Sequence, residues 1–576
     1  MPIIFVPTAA LNRIGGLLCL LPLLASPLQA AVPVDSVQTL LRTRIDAAHA
    51  GTVEALAVDD ARIHTGELLT RFYQDRRFEP AWTDDDGPTP RADSLVAALR
   101  SAERHGLRPT DYHVSSLDSL RRFLQSQAES GEPLDPRRLS DFELLCTNGF
   151  FLYGAHLLHG RLDSETHTPI GTADRRADDL LNQLREVQDG TPLRTALSTL
   201  APANPEYTAL LDLRDQYQEI ASEGNWPTLP DGPKLEQGVE SERVLPLRRR
   251  LEATGDLSDA AASDSTVFDS TLAAAVTRFQ KRHGLDTDGI VGPATRAALN
   301  VPVADRIQQI EVNLERWRWL PRDLGDTHVR VNIAGFELQV MENGTEALQM
   351  RVVAGTPYRQ TPVFSDEISY LVFNPYWNLP TRIAKQDKLP TFKRDPSQVN
   401  AQGFEVLRGW DADARPIDPS TIDWDGLSAS NFPYRLRQKP GAQNALGQVK
   451  FMFPNVHSVY LHDTPSRSLF GRSERSFSSG CIRVERPLDL AAYLLRENEG
   501  WSPERIRSTV GGSREQTVVL NEKVPVHLLY WTAWMDGDTA QFRRDVYTRD
   551  GAVATALRRP LPAPDGWAEP PSRAGE

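Results

Sequence analysis

Apolar and polar positions change rhythm three times along the chain. Over residues 31–235, stretches such as "ELLTRFYQDRRF", "DSLVAALRSAERHGL" and "DDLLNQLREVQ" place apolar residues at i, i+3, i+4 and i+7, the spacing of amphipathic helices. Gly106 and Pro109 supply a helix stop. Over 240–300, "FDSTLAAAVTRFQKRHGL" carries one stripe of Leu272, Ala275, Val276 and Phe279 and ends at Gly284. The turn "DTDGIVG" follows, then a short helix opened by Pro293, whose missing N–H costs nothing at a first helical position. This predicts a compact helical module too small to be an enzyme. A further amphipathic helix over 304–320 presents Ile307, Ile310, Leu314 and Trp317 and reads as a linker. Then the period drops to two. "HVRVNIAGFELQVMENG", "ALQMRVVAG" and "SYLVFNPYWNLP" alternate apolar and polar residues between Gly, Pro and Asn, predicting strands and a β-rich domain over 326–531. Residues 383–445 break that rhythm with Asp, Pro, Gly and Lys and read as a lid-like insertion. The Pro-rich end, 555–576, is expected to be disordered. The fold class expected is α+β and multidomain: a helical N-terminal scaffold, a small helical module and a β-rich domain with an insertion.

Composition narrows the function. The formal charge of −13 over 576 residues argues against nucleic acid as the main partner, which asks for a basic face. Arg13 precedes the apolar run "IGGLLCLLPLLASPLQA", so residues 1–30 read as a secretory signal processed near Ala30. The rival reading is an uncleaved membrane anchor, which Pro22 and Pro27 weaken. An exported, periplasmic protein is expected, with no membrane span after signal cleavage. Only Cys146 and Cys481 then remain of three cysteines, too few for a disulfide scaffold. Cys146 keeps helical spacing with Phe142, Leu145 and Phe150 and reads as core. His156 and His159 lie three apart on a helix, but no further ligand cluster accompanies them. No metal or organic cofactor is implied, because HExxH, zinc-type cysteine pairs and Gly-rich phosphate loops are missing from the sequence.

Cys481 sits differently, in "SFSSGCIRVE", where a Ser-Ser-Gly turn becomes a strand. A free cysteine can pack as a small hydrophobe, or it can act as a nucleophile once a base takes its proton. Upstream, "NVHSVYLHDTP" offers two histidines. Along "SVYLH", Val459 and Leu461 point one way and Tyr460 and His462 the other. His462 is the preferred base; His457 precedes the strand with no turn beside it. Ser479 and Gly480 are positioned to shape an oxyanion site, since backbone N–H groups of such a turn can converge on one point and glycine permits close approach.

These residues bring two resemblances. "AVTRFQKRHGLDTDGIVGPATRAAL" resembles the peptidoglycan-binding domain of cell-wall enzymes, over 240–300. "HDTP…SFSSGCIRVE" is similar to the signature of L,D-transpeptidases with a YkuD-type catalytic domain. The likeness to the large YcbB-like subgroup extends to "RFYQDRRFEPAW", "HGLRPTDY", "NPYWNLP", "NALGQVKFMFPN" and "YWTAW", covering nearly the whole mature chain. It departs from many family members in having Ser479 where they have histidine and Asp463 where they have glycine. The resemblance implies that Cys481 is the nucleophile, His462 the base, Ser479 and Gly480 the shapers of the oxyanion pocket, and Arg483 the motif arginine.

What the resemblance further implies is acyl transfer between peptidoglycan stem peptides, with loss of the terminal D-alanine and a 3→3 cross-link, and carbapenem as an inhibitor. Arg483, Tyr460, Trp377 and Tyr376 are candidate substrate contacts. Other cell-wall synthesis enzymes are candidate partners. Three alternatives stay open on the sequence: a hydrolytic L,D-carboxypeptidase or endopeptidase of the same fold, a non-catalytic wall-binding scaffold protein, and a cysteine protease acting on proteins.

Overall fold

A computed structural model describes residues 34–50, 56–171, 176–258, 264–409, 411 and 414–562. The expected signal segment lies outside them. The architecture is α+β and multidomain. In the N-terminal region one helix, α1 (Pro136–His159), is buried from Leu139 to Leu158. A helix wetted on no side belongs at the centre of a bundle, and the surrounding helices pack around it. Asp135 caps its start and Pro136 occupies its first position, so its exposed end is satisfied before the apolar run begins. Cys146 is fully buried in this core. Glu143 inside it accepts from the N–H groups of Ala81, Trp82 and Thr83 and from the Tyr73 hydroxyl. His156 bridges the Tyr112 hydroxyl and the Ile170 carbonyl, which occupies both ring nitrogens.

The small module has a core of its own around Leu247, Leu251, Leu272, Val276, Phe279 and Leu299. Gln280 pins its turn: the side chain donates to Asp288, the Ile290 carbonyl and Thr295, and accepts from the Gly289 N–H.

Helix α2 (Pro205–Ser222) closes the bundle, and α3 (Val303–Arg318) packs against it. The latter was expected as a linker, yet it is a core helix. Its sequence also buries Arg318 and Glu315, paired with neither exposed, and Trp317 stacks on Trp531 at 4.4 Å. Charged residues inside a helix are affordable only when paired, and here the pairing lets α3 be covered on several sides. The expected disordered tail also starts too early. Helix α4 (Asp550–Arg558) packs on α3, with Ala556 and Leu557 buried; four-residue apolar spacing at Val553 and Leu557 outweighs the prolines beyond.

Nine strands make the main sheet: β1 (Thr327–Asn332), β2 (Glu337–Glu342), β3 (Thr345–Gly355), β4 (Phe364–Phe373), β5 (Val449–Met452), β6 (Leu461–His462), β7 (Ser476–Ser478), β8 (Ile482–Val484) and β9 (Gln516–Leu529). Their order is β7-β3-β8-β6-β5-β4-β9-β1-β2, and a further β3–β2 pairing links the far edge back. Val329, Val331, Val352, Leu371, Phe451, Leu461, Ile482 and Val484 fill one face, as period-two alternation requires. The stretch read as a lid-like insertion is a folded unit rather than a loop. The described residues of 377–438 form a second, four-stranded sheet with short helices and a separate core of Leu379, Phe392, Val399, Phe404, Trp424 and Leu436. Those apolar residues are spaced too irregularly for either period to reveal them. No described helix is long and apolar enough to cross a membrane.

Candidate active site

Strand β6 pairs in parallel with β8, with Leu461 opposite Ile482 and His462 opposite Arg483. Leu461 and Ile482 are fully buried in the core. Alternation therefore sends Tyr460, His462, Cys481 and Arg483 together out of the opposite face. Lys450 joins them, opposite His462 on the antiparallel β5. Sequence reasoning missed this lysine, although its place between inward-facing Val449 and Phe451 marks it as outward-facing. His457, the histidine set aside, is exposed and lies against Phe364 with ring centroids 4.8 Å apart.

The His462 ring is 5% exposed, and its Nδ1 lies 2.5 Å from the Asp463 carbonyl oxygen. A carbonyl only accepts, so Nδ1 carries the proton, and in the neutral ring Nε2 is left with its lone pair. Burial, reinforced by the Arg483 and Lys450 cations, pushes this imidazole down to about 3. Its orienting partner is thus a backbone carbonyl rather than a carboxylate. The Asp463 side chain faces elsewhere, accepting from the Gln448 N–H and pairing with Arg467, hard against Gly447, where a Cβ would collide.

Cys481 is a free, partly exposed thiol. Burial pushes its titration up, opposed by hydrogen bonds from Tyr460 and by the Arg483 charge. The resting pair is therefore a thiol and a neutral imidazole, not an ion pair. Tyr460 is pushed up by burial and by the sulfur, while its hydrogen bond from Trp377 acts the other way. Arg483 is held down by burial, and its buried Nε has no partner among the described residues.

The turn before Cys481 is held from several sides. Gly480 has φ +117°, a conformation that only glycine adopts without strain. Its carbonyl accepts from the Thr361 hydroxyl at 2.8 Å, and its N–H donates to the Ser478 hydroxyl at 3.1 Å. Gly480 therefore shapes the site by its backbone but spends its own N–H inside the turn. The Cys481 N–H donates to no protein acceptor among the described residues. The Ser479 hydroxyl accepts from Arg359, which in turn holds Asp387 of the second sheet unit in a two-pronged ion pair at 2.6 and 2.7 Å. Nothing in the sequence near Arg359 signals this contact, because its partners lie 28 and 120 residues away. Tyr547 reaches in from beyond the expected domain end: its hydroxyl donates to the Gly355 carbonyl and accepts from the Thr361 N–H.

The two aromatic candidates differ. Trp377 lies at the edge of the second sheet unit near Phe404, and its side chain pulls the Tyr460 titration down. Tyr376 is half-buried beneath the Arg437 guanidinium at 4.4 Å, and its N–H donates to Glu515.

Comparisons with known proteins bear on the domains of the chain. Residues 326–521 match the L,D-transpeptidase catalytic domain model of the YkuD family, 240–299 the "Putative peptidoglycan binding domain", and 67–213 the scaffold domain. A "Putative L,D-transpeptidase" of Haemophilus influenzae is 37% identical over 251 residues, which is 43% of this chain and 49% of that protein. The chain thus spans about half the length of that curated relative. Among solved structures, an L,D-transpeptidase from Stackebrandtia nassauensis is 14% identical, covers 53% of this chain and 96% of its own, and has a TM-score of 0.21. One from Xylanimonas cellulosilytica is 16% identical, covers 52% and 98%, and has a TM-score of 0.17. The chain thus carries a YkuD-type L,D-transpeptidase catalytic domain together with a scaffold domain and a peptidoglycan-binding domain, and in this it is similar to the YcbB-like L,D-transpeptidases.

Proposed function

We propose that the chain is an exported, periplasmic L,D-transpeptidase that joins peptidoglycan stem peptides by 3→3 cross-links through a Cys481 thioester. In the first step the Cys481 sulfur attacks the carbonyl carbon of the third stem residue, while the thiol proton passes to Nε2 of His462. The C–N bond to the terminal D-alanine then breaks, and the leaving nitrogen takes the proton back from His462. In the second step the side-chain amine of another stem attacks the thioester, gives its proton to His462, and the sulfur leaves and regains that proton. Splitting the exchange this way replaces one hard step by two easier ones.

The observation that carries this reading is the shared face: a thiol at the residue before β8 and a neutral imidazole of defined tautomer on the paired strand β6, set on the same side of the sheet. The Cys481 N–H is the proposed oxyanion donor, with Gly480 and Ser479 holding the turn that presents it. The Arg483 Nε, buried and unpartnered, suits a substrate carboxylate. Tyr460 and Trp377 would wall the donor stem, with Tyr376 extending that wall. The second sheet unit, tied to the turn through Arg359, would cover the bound stem. Intact-protein mass spectrometry after carbapenem treatment tests the nucleophile. One adduct is expected, lost in Cys481→Ala; an adduct on a serine would refute the assignment.

A further inference from the structure

Away from Cys481, a cavity of about 660 Å3 opens between the small helical module and the β-rich domain, a volume in the range of small-ligand sites. One wall is the helix Pro293–Leu299, through Ala294, Ala297 and Ala298. Phe336 and Phe542 form apolar surface opposite. Its charges are unbalanced. Glu474 in the lining is already paired with Arg544. Arg306, Arg475 and Arg543 also line it, yet none has a carboxylate within ion-pair distance among the described residues. Arg475 and Arg543 donate to backbone carbonyls, and Arg543 also reaches the neutral Gln541 amide. Arg306 donates to Gln309 and the Ala298 carbonyl. Arg306 is 6% exposed, and its Nε is buried without a partner. Burial holds all three guanidiniums below their ordinary range; Arg282 adds repulsion at Arg306, and Arg351 and Arg543 add it at Arg475. The nearby Glu337, itself pushed up to about 7 by burial, offsets them only in part.

We propose that this cavity is a second peptidoglycan-binding site, which holds a stem peptide of a wall strand by its carboxylates. The inference rests on the wall-acting function proposed above. Cationic excess in a desolvated cleft favours an anion, and guanidinium forks match carboxylates in geometry. The apolar lining suits the alanine methyls of such a stem. The site draws on both domains, and its Ser473–Arg475 edge runs directly into β7 and the Cys481 turn. A stem held there is tethered beside the reacting centre, which raises effective concentration without touching the chemistry.

The test uses the full chain, isothermal titration and two probes: a disaccharide-tetrapeptide muropeptide and a neutral N-acetylglucosamine tetramer. Ala297 is exposed on the cavity wall, so substitution there leaves the fold's hydrogen bonds alone. Ala297→Glu should weaken muropeptide binding at least about tenfold through like-charge repulsion. Ala297→Gln, of equal size, should change it less than about twofold. The neutral tetramer should bind more weakly and ignore the added charge. Equal losses in the two variants, no effect of either, no muropeptide binding at all, or equal affinity for the neutral sugar would each overturn the proposal. Carbapenem acylation of Cys481, followed in the same samples, separates the two claims: acylation retained while the binding prediction fails removes only the second site, whereas acylation lost in the unsubstituted chain removes the catalytic reading.

Discussion

His462 should matter for acylation and hardly at all for alkylation, and the reason lies in the charge state of the resting pair. Burial raises the Cys481 thiol and drives His462 down to about 3, so neither group is ionised at neutral pH. A thiol pushed up by burial holds only a small thiolate fraction at pH 7. Iodoacetamide needs the preformed thiolate, so its rate should be low at pH 7 and still climbing past pH 8.5. Carbapenem acylation passes through a transition state in which Nε2 of His462 can receive the proton, and a positioned base of this kind contributes about 10²–10⁴-fold. In His462→Ala, acylation at pH 7 should therefore fall by about that factor, while alkylation should change less than about threefold, because no imidazolium is lost. Stopped-flow acylation and mass-resolved alkylation on the same preparations, with circular dichroism to confirm folding, give both numbers. A wild-type alkylation plateau below pH 7, or parallel collapse of both rates in His462→Ala, would mean that His462 works by holding a thiolate, and the neutral-pair reasoning would be wrong.

Three other perturbations follow from the same geometry. Tyr547→Phe strands the Gly355 carbonyl and Thr361 N–H, so it should cost about 1–3 kcal/mol in urea melts and slow acylation through the Gly480 turn; unchanged acylation would remove Tyr547 from the support of the site. Glu143→Ala deprives three buried N–H groups of their acceptor, and should cost at least about 3 kcal/mol; a loss under 1 kcal/mol would contradict the bonding described. Because the folded-state pKa of His462 is depressed to about 3, its unfolded form binds protons first as pH falls below about 6.5, so stability is lost between there and about 3. From pH 7 to pH 4 this one group should remove about 3 kcal/mol, a loss that His462→Gln would abolish; identical acid profiles in the two proteins would refute the shift.

Much of the site was legible because a short strand obeys a simple rule. Val459 and Leu461 had to face the core, which put Tyr460 and His462 on the other face, and the same count through "CIRV" put Cys481 and Arg483 beside them. The small module was equally readable from its single stripe and its turn. The second sheet unit was not, because Leu379, Phe392, Phe404, Trp424 and Leu436 keep no period and close a core only once folded. Helix α3 looked like a linker because its polar positions hide a buried ion pair. The orienting carbonyl of Asp463, the Arg359 bridge and the Tyr547 brace are also invisible to sequence patterns. The first is a backbone atom, and the others join residues far apart in the chain.

In the proposed reaction Cys481 transfers a stem acyl group to another stem. Sacculi incubated with the purified chain or with Cys481→Ala, digested to muropeptides and weighed by mass spectrometry, test it directly. New 3→3 dimers with released D-alanine are expected for the unsubstituted chain and none for the variant. Dimers formed equally by both proteins, or trimmed monomers without dimers, would contradict it.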